Sequence, residues 1–255
     1  MQQLIRHPII LLIVSFALMW LAAWLGHSVL RKRMPLDEDS RDDFRIVQSA
    51  TLTLLALVIG FSLSMAVGRY DQRKNYEEEE ANAIGTEFIR ADLLPQSSSA
   101  AIRSGLVQYI EQRIDYYQTR DAKRVLQINA STSELQSRLW SAAKEGAMTQ
   151  PNPVTALAVA GMNDVINTQG YTQAAWLNRI PLAAWILMGL IGLFANLLVG
   201  YGVKNASKKN RFLVIMPLTV SLSFMLIADI DSPRNGIIRV APLNLIGTAQ
   251  SIGRP

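Results

Sequence analysis

No cysteine occurs in the 255 residues. That absence excludes disulfides, thiol catalysis and thiolate metal sites, and leaves the compartment to be read from charge. Histidine is almost missing as well: His7 and His27 stand alone, with no Asp, Glu or Ser pattern around them that makes a triad or a metal site. Both fall near the ends of apolar runs, where an imidazole needs no further role. There is no glycine-rich phosphate loop, nucleophile elbow or zinc signature. With no catalytic set in view an enzyme is not expected, and no cofactor is called for. Strand-period alternation, internal repeats and low-complexity linkers are also lacking, so nothing points to a sheet.

Missing charge is the most informative gap. Residues 8 to 30, 46 to 68 and 181 to 203 each run 23 residues without Asp, Glu, Lys or Arg. At ~1.5 Å per helical residue each crosses a hydrocarbon layer of ~30 Å. A fourth block, 212 to 228, is 17 residues long and holds Pro217, which should kink it. Half of the chain is apolar, and about half of those apolar residues sit in these four blocks. The expected fold is all-α, a four-span helical membrane protein with a helical extramembrane region between the second and third spans. The expected division is two spans in 1–68, the extramembrane region in 69–180, two spans in 181–230 and a tail in 231–255. The first block is longer than a signal-peptide core and lacks a small-residue cleavage site, so it should stay as an anchor.

The net charge of +5 gathers beside the spans, where topology and anionic headgroups account for it, and nucleic acid is not an expected partner. Residues 31 to 45 carry five basic side chains, Arg31, Lys32, Arg33, Arg41 and Arg45, whereas only Arg6 precedes the first span. The 204 to 211 connection carries four, Lys204, Lys208, Lys209 and Arg211. Short basic loops favour the cytoplasm, which puts both termini and residues 69–180 on the far side. Arg69, Arg73 and Lys74 directly after the second span pull the other way.

From Arg69 to Leu94 the only helix breaker is Gly85, so the second span should continue as one long helix until Pro95 ends it. Ser97 to Ser99 can cap the next helix, whose apolar face reads Ile102, Leu106, Tyr109 and Tyr117 with Arg113 as a snorkelling base. Ser131 with Glu134 has capping-box spacing and should open another helix. Residues 145 to 153 read as a break, after which Val154, Leu157, Gly161 and Val165 share a face. In the tail, Pro233, Asn235 and Gly236 make a turn, and the following IIRV is either extended or packed on the helices.

Several side-chain sets are candidates for function. Glu77 to Glu80 form the most acidic run; four consecutive carboxylates fan around a helix, and pairs such as Arg73 with Glu77 make a solvated turn the bland reading. Glu80 and Glu87, seven apart on one face, are the better-placed pair for a cation site completed by another helix or subunit. Gly60, Ser64 and Gly68 along the second span, and Gly192, Asn196 and Gly200 along the third, repeat at four-residue spacing, which lets helices pack closely or leaves a polar face for a conduit. Leu57, Phe61 and Met65 make a bulky stripe on another face of the second span. Such a stripe commonly faces lipid or core; repeated around an oligomer it becomes a hydrophobic constriction. Asp229 and Asp231, with Arg234 and Arg239 nearby, suggest ion pairing in the turn after the last span.

Taken together, Gly60-Phe61, Tyr70, Glu80-Ala81, Leu94-Pro95 and the turn with Asp231, Pro233 and Gly236 resemble a widespread bacterial membrane family labelled bestrophin-like. The likeness covers nearly the whole chain. Bestrophins are pentameric anion channels in which the second span lines a pore with a narrow hydrophobic neck, beside an acidic calcium clasp. The resemblance therefore implies a homo-oligomer, pentameric by analogy, in a bacterial inner membrane, with lipid and ions as partners. Here the neck series is Leu57, Phe61 and Met65 instead of a run of aromatics. Bestrophins keep the insert in the cytoplasm, opposite to the side the charge count gives. The alternative to a channel is a non-conducting membrane scaffold or sensor whose extramembrane helices bind a partner.

Overall fold

The computed structural model describes residues 7–203 and 212–253, so Arg6 and the basic connection of 204–211 lie outside the described residues. Helix α1 runs Pro8–Leu25 and continues through a π-helical turn, Gly26–Leu30, to Arg33. Then come α2 (Ser40–Arg90), α3 (Gln96–Gln118), α4 (Ala122–Thr149), α5 (Pro153–Leu177), α6 (Leu182–Gly202), α7 (Phe212–Asp231) and α8 (Leu243–Ile252). Among the described residues there is no strand. Four stretches are long and apolar enough to span a membrane, with mean hydropathy between 2.1 and 2.4. The chain divides into two compact units, one of 1–69 with 179–239 and one of 70–178 with 240–255.

In the membrane unit, α1 starts with Pro8 at its first position, where no amide hydrogen bond is lost. It buries Leu11, Ser15, Met19, Ala22 and Ala23, a stripe of helical period, against α6 and α7. Small residues decide how close these helices come. A side chain added at Gly200 would strike the Ala23 backbone, and one at Gly26 would strike the Leu197 carbonyl. At Gly192 it would come within 2.8 Å of the Met19 methyl. Asn196 is fully buried on the same face and donates to the Gly192 carbonyl at 2.8 Å. Helix α7 continues through Pro217 and ends in two structural carboxylates. Asp229 accepts the amides of Ile237 (2.7 Å) and Ile238 (2.8 Å), folding the turn back on the helix end. Asp231 accepts the Ile180 amide and lies 3.7 Å from Arg69. The sequence placed Arg234 and Arg239 near these carboxylates; backbone amides and Arg69 are among the partners that hold them.

The extramembrane unit packs the end of α2 with α3, α4, α5 and α8 around Ile84, Ile102, Leu106, Ile110, Leu139 and Met162. Asp121 caps α4 by accepting the Lys123 amide at 2.9 Å. This cap moves the start of the helix nine residues ahead of Ser131, whose hydroxyl merely bonds back to the Gln127 carbonyl. The expected break shrinks to Gln150–Asn152, because Asn152 and Thr155 form a capping box with Pro153 at the first position of α5. On α5 the inward face is Thr155, Ala158, Met162 and Val165, whereas Val154 and Leu157 are about half exposed. Helix α8 was not foreseen. Its N-cap residue, Pro242, has no side-chain acceptor, and Glu77 of α2 takes that part by accepting the Leu245 amide (2.9 Å) and the Asn244 amide group (2.7 Å).

Candidate functional site

Two regions carry the residues singled out in the sequence. The first is the outer face of α2 in the membrane unit. Leu55, Ser62 and Ala66 turn inward and are buried. On the opposite side Leu57, Phe61 and Met65 are 51%, 62% and 42% exposed. Gly60, Ser64 and Gly68 are exposed beside them, and a side chain added at Gly60 or Gly68 would meet nothing within 4 Å. Both stripes therefore lie on the half of the helix that the protomer leaves uncovered. Only 17% of the most apolar window of this span is buried, against 28%, 28% and 44% for the other three. In contrast, Gly192, Asn196 and Gly200 are buried inside the protomer against α1.

The second region is a polar seam in the extramembrane unit. Besides Ala81, the buried positions along the extramembrane part of α2 and the turn after it are Arg73, Glu77, Glu80, Ile84, Glu87 and Ala91. Their alternation of four and three residues is the spacing of a helical seam, yet four of the six are charged. Arg73 and Glu77, read from sequence as a solvated turn, are 2% and 1% exposed. Glu80 accepts from the Arg113 Nε, from the Thr172 hydroxyl at 3.1 Å and from the Tyr117 hydroxyl at 3.4 Å. Arg113 does not snorkel; it is wholly buried and its guanidinium lies 4.4 Å above the Tyr116 ring. Burial by itself would lower the pKa of Arg113, but the Glu80 carboxylate outweighs it and holds the guanidinium above its usual range. Burial, and then the negative charge of Glu80, push both the Tyr109 and Tyr117 phenols up.

Glu87 is built differently. It is 0% exposed and neither carboxyl oxygen has a hydrogen-bond partner. It presses on α5 at Gly161, where an added side chain would collide with its Oε2 and come within 2.8 Å of Arg90. Burial raises its pKa to about 8, with Arg90 opposing the rise and Asp164 adding to it. Glu80 and Glu87 thus share a face, as their spacing required, but Glu80 is hydrogen-bonded and Glu87 is not. Among the described residues no group of three or more His, Asp or Glu is placed to hold a metal ion.

What sequence reasoning missed was the pairing, since Arg113 and Glu80 are 33 residues apart and each was read only against its own helix. The available signal was the spacing of Arg73, Glu77, Glu80 and Glu87, which is obscured because those positions are not apolar.

Sequence comparison resolves the family. A model of the bestrophin-like domain matches residues 13–245. The chain belongs to the bestrophin-like family. Solved structures of bestrophin homologs share the fold: a single-substitution variant of a bacterial bestrophin homolog from Klebsiella pneumoniae superposes with a TM-score of 0.69 at 14% identity, covering 94% of this chain and 93% of that one. Another crystal structure of a homolog from the same organism gives 0.63 at 16% identity, covering 96% of both chains. No curated protein matches the sequence. The all-helical, four-span architecture is thus that of a bestrophin-like membrane protein.

Proposed function

We propose that this bestrophin-like chain forms a homo-oligomeric ion channel, pentameric by analogy, and acts as a conduit and not as an enzyme. The observation that carries this reading is the outer face of α2, where Leu57, Phe61 and Met65 are exposed in the protomer on its least covered span. Around an axis of symmetry such residues form a ring, and a narrow ring of large apolar side chains excludes water until it widens. Gly60, Ser64 and Gly68, open on the same half of the helix, let neighbouring α2 helices approach closely.

The protein resides in the bacterial inner membrane, with lipid and permeating ions as its partners. The basic residues of 31–45 and 204–211 favour cytoplasmic short connections and a periplasmic 69–180 region. At the proposed cation site, an ion at Glu80 has to displace Arg113. Glu87, whose oxygens lack hydrogen-bond partners, is the carboxylate at which a proton or cation relieves a desolvated charge that Arg90 only partly offsets.

Ion flux into liposomes under a salt gradient tests the channel. Phe61→Ala widens and wets the constriction and raises flux several-fold, whereas Leu52→Ala, off the stripe, leaves it near the parent level. Silence of both the parent and the Phe61 variant in intact oligomers would discard the pore in favour of a non-conducting, partner-binding scaffold.

A further inference from the structure

Three span ends meet in the membrane unit. Arg31 lies in the last turns of the first span, Phe44, Arg45 and Gln48 begin the second, and Gly202 closes α6. By chain order these are the end of one crossing, the start of the next and the end of the third, which all belong to one face of the membrane. Together with Leu36 and Arg41 they line a cavity of about 110 Å³. Among the described residues, three guanidinium groups and a carboxamide border it, and no carboxylate does. Its walls are fixed. Arg31 donates to the carbonyls of Tyr201 (3.1 Å) and Val203, Tyr201 donates to the Met34 carbonyl at 2.8 Å, and the Phe44 and Tyr201 rings meet edge to face at 5.2 Å. Gly202 keeps the space open, since a side chain there would come within 3.0 Å of the Phe44 ring and 3.4 Å of the Gln48 amide.

Among the described residues, the carboxylates paired with Arg41 and Arg45 are themselves exposed to solvent. Glu38 lies 3.5 Å from Arg41 and Asp42 lies 3.3 Å from Arg45, and these carboxylates are 92% and 83% exposed. Such pairs contribute little and exchange readily. The turn beside them exposes Ile46 and Val47 at 66% and 54%, an apolar surface of the kind acyl chains cover.

We propose that this cavity binds the phosphate of an anionic phospholipid headgroup. Arg41 and Arg45 supply forked donors to its oxygens, Gln48 adds a neutral donor, and Arg31 forms a fixed positive wall. The meeting of three span ends selects a lipid over a free anion, because basic recesses between spans at the headgroup level receive anionic lipid.

The full-length protein in detergent tests this by thermal shift with phosphatidylglycerol, phosphatidylcholine or inorganic phosphate added. Phosphatidylglycerol raises the Tm of the parent, and the other two do not. Arg41→Gln with Arg45→Gln reduces the shift at least about threefold, and Gln48→Leu alone reduces it by a smaller factor, giving the same reading if the double variant does not fold. Arg120→Gln with Lys123→Gln, an equal loss of charge outside the membrane unit, retains the full shift. The proposal falls if phosphatidylcholine or phosphate reproduces the shift, if neither cavity variant diminishes it, or if the charge-matched control loses it as well.

Discussion

Arg113 and Glu80 place opposite charges in a fully buried site, where each ion carries a desolvation cost of several kcal/mol that only a close partner offsets. Removing one partner strands the other. Arg113→Met or Glu80→Leu should therefore destabilise the protein by about 3–5 kcal/mol, while the double replacement should be less harmful than either single one. Thermal denaturation of the four proteins in one detergent gives the cycle, and additive losses would show that the two do not depend on each other. Glu87 has no such partner, and its pKa rises from 4.5 to about 8 on folding. The folded state then holds a proton that the unfolded chain has already released, so stability declines as pH rises between about 4.5 and 8 and levels off above that window. The melting temperature should drop by several degrees across it in the parent. Glu87→Gln, which cannot ionise, should lose that portion of the slope, and an unchanged slope in the variant would assign it to another group.

At the scale of elements, glycine does two different jobs in this molecule. Gly200 sits where α6 touches the α1 backbone, whereas Gly60 looks into open space. Gly200→Leu should abolish folded protein, since a backbone cannot yield as a side-chain end can, and overpacking costs at least about 1–3 kcal/mol even where side chains give way. Gly60→Leu should leave the protomer folded yet reduce the oligomer size measured by light scattering, because the leucine holds neighbouring subunits apart. An undiminished Gly60→Leu oligomer would place this face against lipid. Of the α2 seam, the helix and the shared face of Glu80 and Glu87 were legible in the sequence, but not the burial of that face. Four of its buried residues, Arg73, Glu77, Glu80 and Glu87, are charged, and a periodicity search keyed to apolar residues passes over them.

For the whole molecule, the spans, their order and the family signature were all available from the chain. Orientation is where charge and resemblance disagree, and a reporter fused near residue 150 decides it. The basic loops call for activity only with an export-dependent reporter; activity of a cytoplasm-dependent one would give the opposite orientation, that of the bestrophins. Either result leaves the α2 outer face and its stripe unchanged, since turning the protein over moves no side chain relative to its neighbours.

The sequence by itself determined that this is a helical membrane protein, because a run of 23 uncharged residues has no favourable alternative to a helix in hydrocarbon. It also determined the neighbours along each helix, since the helical repeat alone aligns Leu57 with Phe61 and Glu80 with Glu87. Only the tertiary structure decided which faces are covered. It paired Arg113 with Glu80, left Glu87 without a hydrogen-bond partner, used Glu77 to cap α8 and turned Phe61 outward. Each of those outcomes depends on a residue tens of positions away or on the lack of one, and a desolvated charge is stable or strained according to what stands opposite it.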